Sequence, residues 1–565
     1  MTRYLIIVLL AGATFMSCKR TDHPDNQYQG REIAEEDISA VIQTVIDSHD
    51  ISGFFPYQLE DTVLFNAMKS FYRAREYELA WNEDDELLPQ TEEFIAILED
   101  AEKEGLERED YDIRRIKMFR DDVFESDEFQ KNMKLIYLDL MLTANYILYA
   151  HHTVRGRIDP GTLGGIWKCT PRECDLAANL RAGIEEQNIA ASLDSLKPQY
   201  RQFRKLKGAL SLYRAIIMTG GWDTVPQGPE LAVGDTSVRV AAAWKRLNAE
   251  INRSEKEKEV PQIFDRDLES TLKYFQKRHG LEESGKLDEA TVRVMNIPAT
   301  DRTNQIKLNI ERLRWLPDSF GSHYILVNIP EYKMRVVENG NEAMEMRVIV
   351  GKKMNSTPIF SDTMEYLVFA PYWNVPNSIA TEEILPKQIE NSSYLAEHNY
   401  ELLSGWGKDA SVVHPIWVNW KKMKRDSFKF RIRQKPGPWN ALGHVKFIFP
   451  NDMDIYLHDT PTDHLFSRAE RDFSHGCIRI EEPAKLADFL LPDKDTEEIE
   501  ELMAAENETV VPLKKQYPVH ILYWTTWVDD DGKVNFRDDL YDFDQVQLNA
   551  IERHRNRDLD LISER

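Results

Sequence analysis

Residues 455–480 read IYLHDTPTDHLFSRAERDFSHGCIRI, and the rest of the chain is read outward from them. Residues 454–457 have the composition of a short strand, so His458 follows a strand end. Cys477 lies 19 positions later, inside Ser474-His475-Gly476-Cys477. A thiol attacks a carbonyl only as thiolate, and an imidazole within reach can take its proton. Gly476 beside the nucleophile lets the backbone turn tightly and the substrate come close. Successive N–H groups at such a turn stabilise the oxyanion of a tetrahedral intermediate. These residue types in this order predict acyl transfer through a thioester. Spacing alone leaves open whether His458 or His475 faces the thiol.

Around this stretch the chain is rich in short strands. Residues 324–329, 334–338, 344–350 and 365–370 have strand composition, as do 429–434 and 445–449. Asn339-Gly340 between two of them predicts a two-residue type I′ hairpin. A mostly β domain is therefore expected over residues 304–528, with a long insertion at 371–435 carrying Trp373, Trp406, Trp417 and Trp420. Loops of that length carry function or structure of their own, and a lid over the substrate or a packed subdomain both satisfy the pattern. Lys429, Arg431, Arg433 and Lys435 alternate with Phe428, Phe430 and Ile432, which puts four cations on one face of a strand. Such a row can attract substrate carboxylates, or can simply deter edge-to-edge association.

The preceding part is helical. Val63, Leu64, Ala67, Met68 and Phe71 recur at three-and-four spacing. Phe94, Ile97, Leu98 and Ala101 repeat the pattern up to a stop at Gly105, and 135–149 is a longer apolar helix. Residues 31–227 read as a helical scaffold and 228–300 as a compact helical module built on Leu268, Leu272 and Phe275. The segment 529–565 is acidic and reads as a surface tail. The fold class is multidomain α+β.

Length and charge agree. At roughly 150 residues per domain, 565 residues make three to four domains. Lys and Arg number 71 against 96 Asp and Glu, a net charge of −25, which argues against a general nucleic-acid binder. A mean hydropathy of −0.51 excludes a polytopic membrane protein. At the N-terminus, Arg3 precedes an apolar run over 4–15, too short to span a bilayer and read as a signal peptide over 1–17. Ser17-Cys18 resembles the lipobox of bacterial lipoproteins, which implies lipidation at Cys18 and a tether over 18–30. In an exported chain Cys169 and Cys174 are candidates for a local disulfide, and Cys477 is left over, a free thiol that needs a reason.

The spacing from His458 to SHGCIRI, together with RQKPGPWNALGHVKFIFPN and YLHDTP, resembles the L,D-transpeptidase family. The string LKYFQKRHGLEESGKLDEATVRVMN is similar to the small peptidoglycan-binding module. The resemblance covers most of the chain and matches the large, scaffold-bearing members. It implies Cys477 as nucleophile, His458 as base, and the backbone carbonyl of Asp459 orienting the imidazole. Ser474, His475 and Gly476 would position substrate and, with Cys477, lend N–H groups to the oxyanion. Arg479 stands where some members carry Asn, and would grip a substrate carboxylate or serve a structural ion pair. The implied activity is 3→3 cross-linking of peptidoglycan stem peptides with release of D-Ala, without metal or cofactor. L,D-carboxypeptidase action and a non-catalytic peptidoglycan-binding scaffold are the alternatives. A metal site on His458, His464, His475 and Cys477 is a further, remote one. The expected setting is the bacterial cell envelope, periplasm-facing and lipid-anchored on the outer membrane. Carbapenem is the expected covalent inhibitor, with other cell-wall synthesis proteins as further partners.

Overall fold

The structure, a computed structural model, describes residues 35–48, 54, 62–83, 86–125, 128–164, 167–169, 172–251, 262–405 and 410–563. The expected signal peptide, Cys18, the tether and Trp406 lie outside the described residues. No helix among the described residues is long and apolar enough to cross a membrane.

The helical scaffold is organised by α1 (Glu128–Arg155). Its Leu138, Met141, Leu142 and Ile147 are buried against Phe71, Trp81 and Phe94. One carboxyl enters this core: Asp139 accepts from the Tyr72 hydroxyl at 2.6 Å and from the N–H groups of Ala80 and Trp81 at 2.6 and 2.9 Å. A buried carboxyl is tolerated when its lone pairs are met in this way. Helix α2 (Arg201–Met218) leads into the module, where α3 (Arg266–Arg278) buries Leu268, Leu272 and Phe275. Asp265 caps α3 by accepting from the Leu268 N–H. Helix α4 (Ala299–Arg314) then packs on α2 through Leu206, Leu210, Ile306 and Ile310. The β region therefore starts after α4, at Tyr324, and not at residue 304.

The strands are β1 (Tyr324–Asn328), β2 (Lys333–Glu338), β3 (Asn341–Gly351), β4 (Ile359–Phe369), β5 (Val445–Ile448), β6 (Leu457–His458), β7 (Asp472–Ser474), β8 (Ile478–Ile480) and β9 (Thr509–Leu522). Hydrogen bonds run in the order β5-β6-β8-β3-β2-β1-β9-β4, and β4 also pairs with β5, so the path closes on itself. Ile325, Val327, Val348, Phe369, Leu457 and Ile478 fill the interior. Asn339 and Gly340 take φ of 51° and 76°, and Glu338 pairs with Asn341 across the two-residue turn. Most neighbours are antiparallel, but β6 and β8 run parallel, with Leu457 opposite Ile478 and His458 opposite Arg479.

Two segments depart from expectation. Trp167–Lys168, from the helical part, pairs in parallel with β4, and the Trp167 ring sits 5.0 Å from that of Trp315. Cys169 thereby packs half-buried beside the barrel core, while Cys174 is exposed next to Asp175, the cap of the helix Leu176–Glu185. Both are free thiols, so the anticipated bridge is not formed. The strand pairing and the helix cap commit the two cysteines to different elements.

The segment read as an acidic surface tail is instead built into the fold. Thr526–Val528 and Val534–Phe536 form a hairpin, Phe536, Tyr541 and Phe543 are buried, and α5 (Phe543–Ser563) follows. Two of its acids are matched: Asp544 pairs with Arg312 at 2.6 Å, and Asp539 accepts from the Tyr523 hydroxyl at 2.8 Å. Apolar residues interleaved with the carboxylates drive this burial, and partnered charges permit it.

The insertion folds as a small unit. Ser411–Val413, Tyr400–Ser404, Arg431–Gln434 and Trp373–Asn374 make a sheet in that order, over Ile379, Ile384, Leu385, Leu395, Leu402, Phe428 and Ile432.

Candidate active site

The parallel register of β6 and β8 assembles the site. Side chains alternate along a strand, so Arg479 falls on the face that His458 occupies, with Ile478 and Leu457 turned into the core. His458 is only 4% exposed. Its Nδ1 lies 2.6 Å from the carbonyl oxygen of Asp459, which can only accept, so Nδ1 carries the proton and Nε2 keeps its lone pair. Burial pushes the imidazole down to about 3, reinforced by Arg479, against the pull of the Asp459 carbonyl. The imidazole is therefore neutral across the physiological range.

The Asp459 carbonyl is held by its own side chain. One carboxylate oxygen accepts from the Thr460 N–H at 2.7 Å and the other from the His444 N–H at 2.7 Å. Gly443 makes room for this turn: it has φ of 62°, and a Cβ there would collide with the Asp459 carboxyl.

Cys477 lies between β7 and β8, and its half-buried thiol donates to the Asp454 carbonyl at 3.6 Å. Burial holds the thiol above its ordinary value, opposed by hydrogen bonding from Tyr456. The Tyr456 ring stands 5.7 Å from that of His458. Ser474 braces the loop from within: its hydroxyl donates to the Cys477 carbonyl at 2.6 Å and accepts from the Gly476 N–H at 3.1 Å. The Gly476 N–H, expected to face an oxyanion, is thus already engaged. Gly476 has φ of 121°, a conformation open to glycine.

Arg479 donates to the Thr462 hydroxyl at 3.3 Å, and its buried Nε has no partner among the described residues. Among those residues it forms no ion pair, and its charge interacts with the Cys477 thiol. His475 points elsewhere: its Nε2 lies 2.8 Å from Glu383 of the inserted unit. His458 and Cys477 both lie beside Tyr456 and Arg479, whereas His475 is engaged by Glu383. The basic row is only partly available, because Arg433 and Lys435 pair with Glu401 at 2.7 and 3.4 Å. Arg431 donates to the Gly405 carbonyl at 3.2 Å, and Lys429 precedes the strand. Tyr456, Gly443, Asp454 and Glu383 were missed in the sequence. Only Tyr456, two places before His458 in a strand-like run, carried a readable signal.

Residues 66–210 match a family model described as a scaffold domain. Residues 236–295 match one described as “Putative peptidoglycan binding domain”, and 322–513 match one described as an L,D-transpeptidase catalytic domain. A Haemophilus influenzae protein named “Putative L,D-transpeptidase” is 36% identical over 263 residues, which are 46% of this chain and 52% of that protein. The chain thus matches about half the length of this curated relative. Among solved structures, an L,D-transpeptidase from Mycobacterium smegmatis is 12% identical over 36% of this chain and 58% of its own, with a TM-score of 0.18. One from Xylanimonas cellulosilytica is 11% identical over 53% of this chain and 100% of its own, with a TM-score of 0.15. Likenesses that weak carry no argument. The chain thus carries a segment that matches the L,D-transpeptidase catalytic domain, preceded by segments that match a scaffold domain and a peptidoglycan-binding domain.

Proposed function

We propose that the chain cross-links peptidoglycan stem peptides through a Cys477 thioester. The observation that carries this reading is the neutral His458 imidazole, its free Nε2 fixed by the Asp459 carbonyl, with Arg479 beside both it and Cys477. Sγ attacks the carbonyl that joins the third stem residue to terminal D-Ala, and Nε2 takes the thiol proton. The oxyanion is met by the Cys477 N–H and the Tyr456 hydroxyl, since the Gly476 N–H is held by Ser474. His458 returns its proton to the departing D-Ala amine. A side-chain amine of a neighbouring stem then attacks the thioester, forms the 3→3 amide and restores the thiol. Arg479 supplies positive charge for the thiolate and for a stem carboxylate. The inserted unit, joined to the nucleophile loop by His475 and Glu383, limits access of water to the thioester. That favours the amine over hydrolysis.

Defined tetrapeptide muropeptides, analysed by mass spectrometry, test the reading. The expected products are dimers and free D-Ala. Tripeptide monomers alone would make the protein an L,D-carboxypeptidase, and unchanged substrate would leave a binding scaffold. Carbapenem acylation of Cys477 is expected alongside.

Two further outcomes follow from the site. The Cys477 thiol is held up by burial while His458 stays neutral, so no thiolate–imidazolium pair exists at rest. The rate of iodoacetamide alkylation at Cys477 is expected to keep climbing above the ordinary thiol range. A plateau beginning near pH 6 would refute that resting state. Arg479→Gln removes a charge without a carboxylate partner, and KM for tetrapeptide stems is expected to rise about tenfold or more, the range of one charged hydrogen bond. Steady-state kinetics measure it, and an unchanged KM assigns Arg479 to the thiol alone.

The peptidoglycan-binding segment supports a place in the cell envelope, where other cell-wall synthesis proteins are natural partners. Lipid anchoring at Cys18 on the outer membrane is part of the same proposal. Palmitate labelling of the wild type, lost in Cys18→Ser, tests the anchor.

A further inference from the structure

Behind the nucleophile loop, a buried chain of hydrogen bonds leads out of the catalytic segment. The Thr357 hydroxyl donates to the Gly476 carbonyl at 2.8 Å and accepts from the Gly351 N–H at 2.9 Å. The Tyr541 hydroxyl donates to the Gly351 carbonyl at 2.6 Å and accepts from the Thr357 N–H at 3.3 Å. Thr357 is fully buried and Tyr541 4% exposed. At Gly351 a Cβ would collide with the Asn355 carbonyl and come within 3.1 Å of the Gly476 Cα, so the two backbones touch directly. Tyr541 is itself fixed: its N–H donates to the Tyr523 hydroxyl at 2.9 Å, and its ring stacks on Tyr523 at 5.6 Å.

We propose that Tyr541 is a positioning residue for the nucleophile, setting the 476–477 peptide through Gly351 and Thr357. The inference rests on the reading of Cys477 as nucleophile. Tyr541 lies 28 residues beyond the end of the matched catalytic segment at 513, so the loop is completed by a part of the chain outside it. Removing the hydroxyl leaves the Gly351 carbonyl and the Thr357 N–H unpaired in a dry site. The Gly476 peptide is then no longer held in one orientation, and neither are Sγ and the Cys477 N–H. Acyl transfer loses rate on displacements of an ångström or less.

The test uses the full chain with Tyr541→Phe, Thr357→Val and Thr357→Ser. Tyr541→Phe keeps the ring, so packing is retained while the hydroxyl is lost. Its kcat for stem cross-linking is expected to fall about tenfold, the effect of one misplaced contact in the transition state, with KM unchanged. Thr357→Val should act in the same direction, and Thr357→Ser, which keeps the hydroxyl, should restore turnover. Lys353→Ala, which removes the exposed ion pair with Asp542, is expected to leave kcat as it is. Iodoacetamide alkylation needs no substrate. The groups around the thiol are Tyr456, Asp454 and Arg479, and burial outweighs them. A loosened loop should therefore lower the pH midpoint of alkylation in Tyr541→Phe. Wild-type kcat together with a wild-type midpoint in that variant overturns the proposal, whatever happens to its melting temperature. Should Thr357→Val not fold, Tyr541→Phe and Thr357→Ser still decide. A wild-type chain that forms no dimers and releases no D-Ala refutes the functional reading instead, and the alkylation midpoint still judges the brace.

Discussion

Cys477→Ala is expected to abolish dimer formation and carbapenem acylation, with a loss of about four orders of magnitude or more in turnover. The nearby Ser474 hydroxyl is not available to take its place, being held by the Cys477 carbonyl and the Gly476 N–H. The variant should remain folded. Among the described residues the thiol bonds only to the Asp454 carbonyl and to Tyr456, while the bonds that shape the loop use the Cys477 and Gly476 backbones. Stem binding should therefore survive, measurable by calorimetry on the same muropeptides. Retained cross-linking in Cys477→Ala would refute the thioester route.

His458→Asn is expected to lower kcat/KM about a thousandfold, within the range of general-base catalysis. The asparagine amide can still donate to the Asp459 carbonyl, so the loss isolates Nε2 from the fixing of the turn. The same variant has a stability signature. The buried imidazole titrates near 3 when folded, against about 6.5 when exposed. Between those values the unfolded chain binds the extra proton, so wild-type stability falls as pH is lowered from about 6.5 toward 3. His458→Asn lacks that term. Its stability should decline less steeply between pH 6 and 4, by about 1.4 kcal/mol per unit at most, in urea titrations run in parallel. Equal slopes would mean that His458 is not buried neutral.

The sequence carried the candidate site as a set of local signals, and the fold around it less fully. His458 and the Ser-His-Gly-Cys run are local signals, as is the Asn339-Gly340 pair that marked the hairpin. That His458 stands opposite Arg479 needed the parallel register of β6 on β8, a pairing between positions about 20 apart that periodicity cannot supply. The availability of the Gly476 N–H was unreadable for a similar reason, since it depends on the rotamer of Ser474. The C-terminal segment was misread because its carboxylates dominate its composition, while Phe536, Tyr541 and Phe543 decide its burial. The strand Trp167–Lys168 is too short for any pattern to register.

That short strand has a consequence for the order in which the protein can be made. Trp167 must wait for Ile359, and the loop at Gly476 must wait for Tyr541, so neither contact is available to a chain still being synthesised through those points. Contacts between residues so far apart slow folding, because a long loop has to close before any of them rewards it. A nascent chain that already contains Cys477 but not Tyr541 thus holds this thiol in an unfinished loop, which is completed only after Tyr541 has been added.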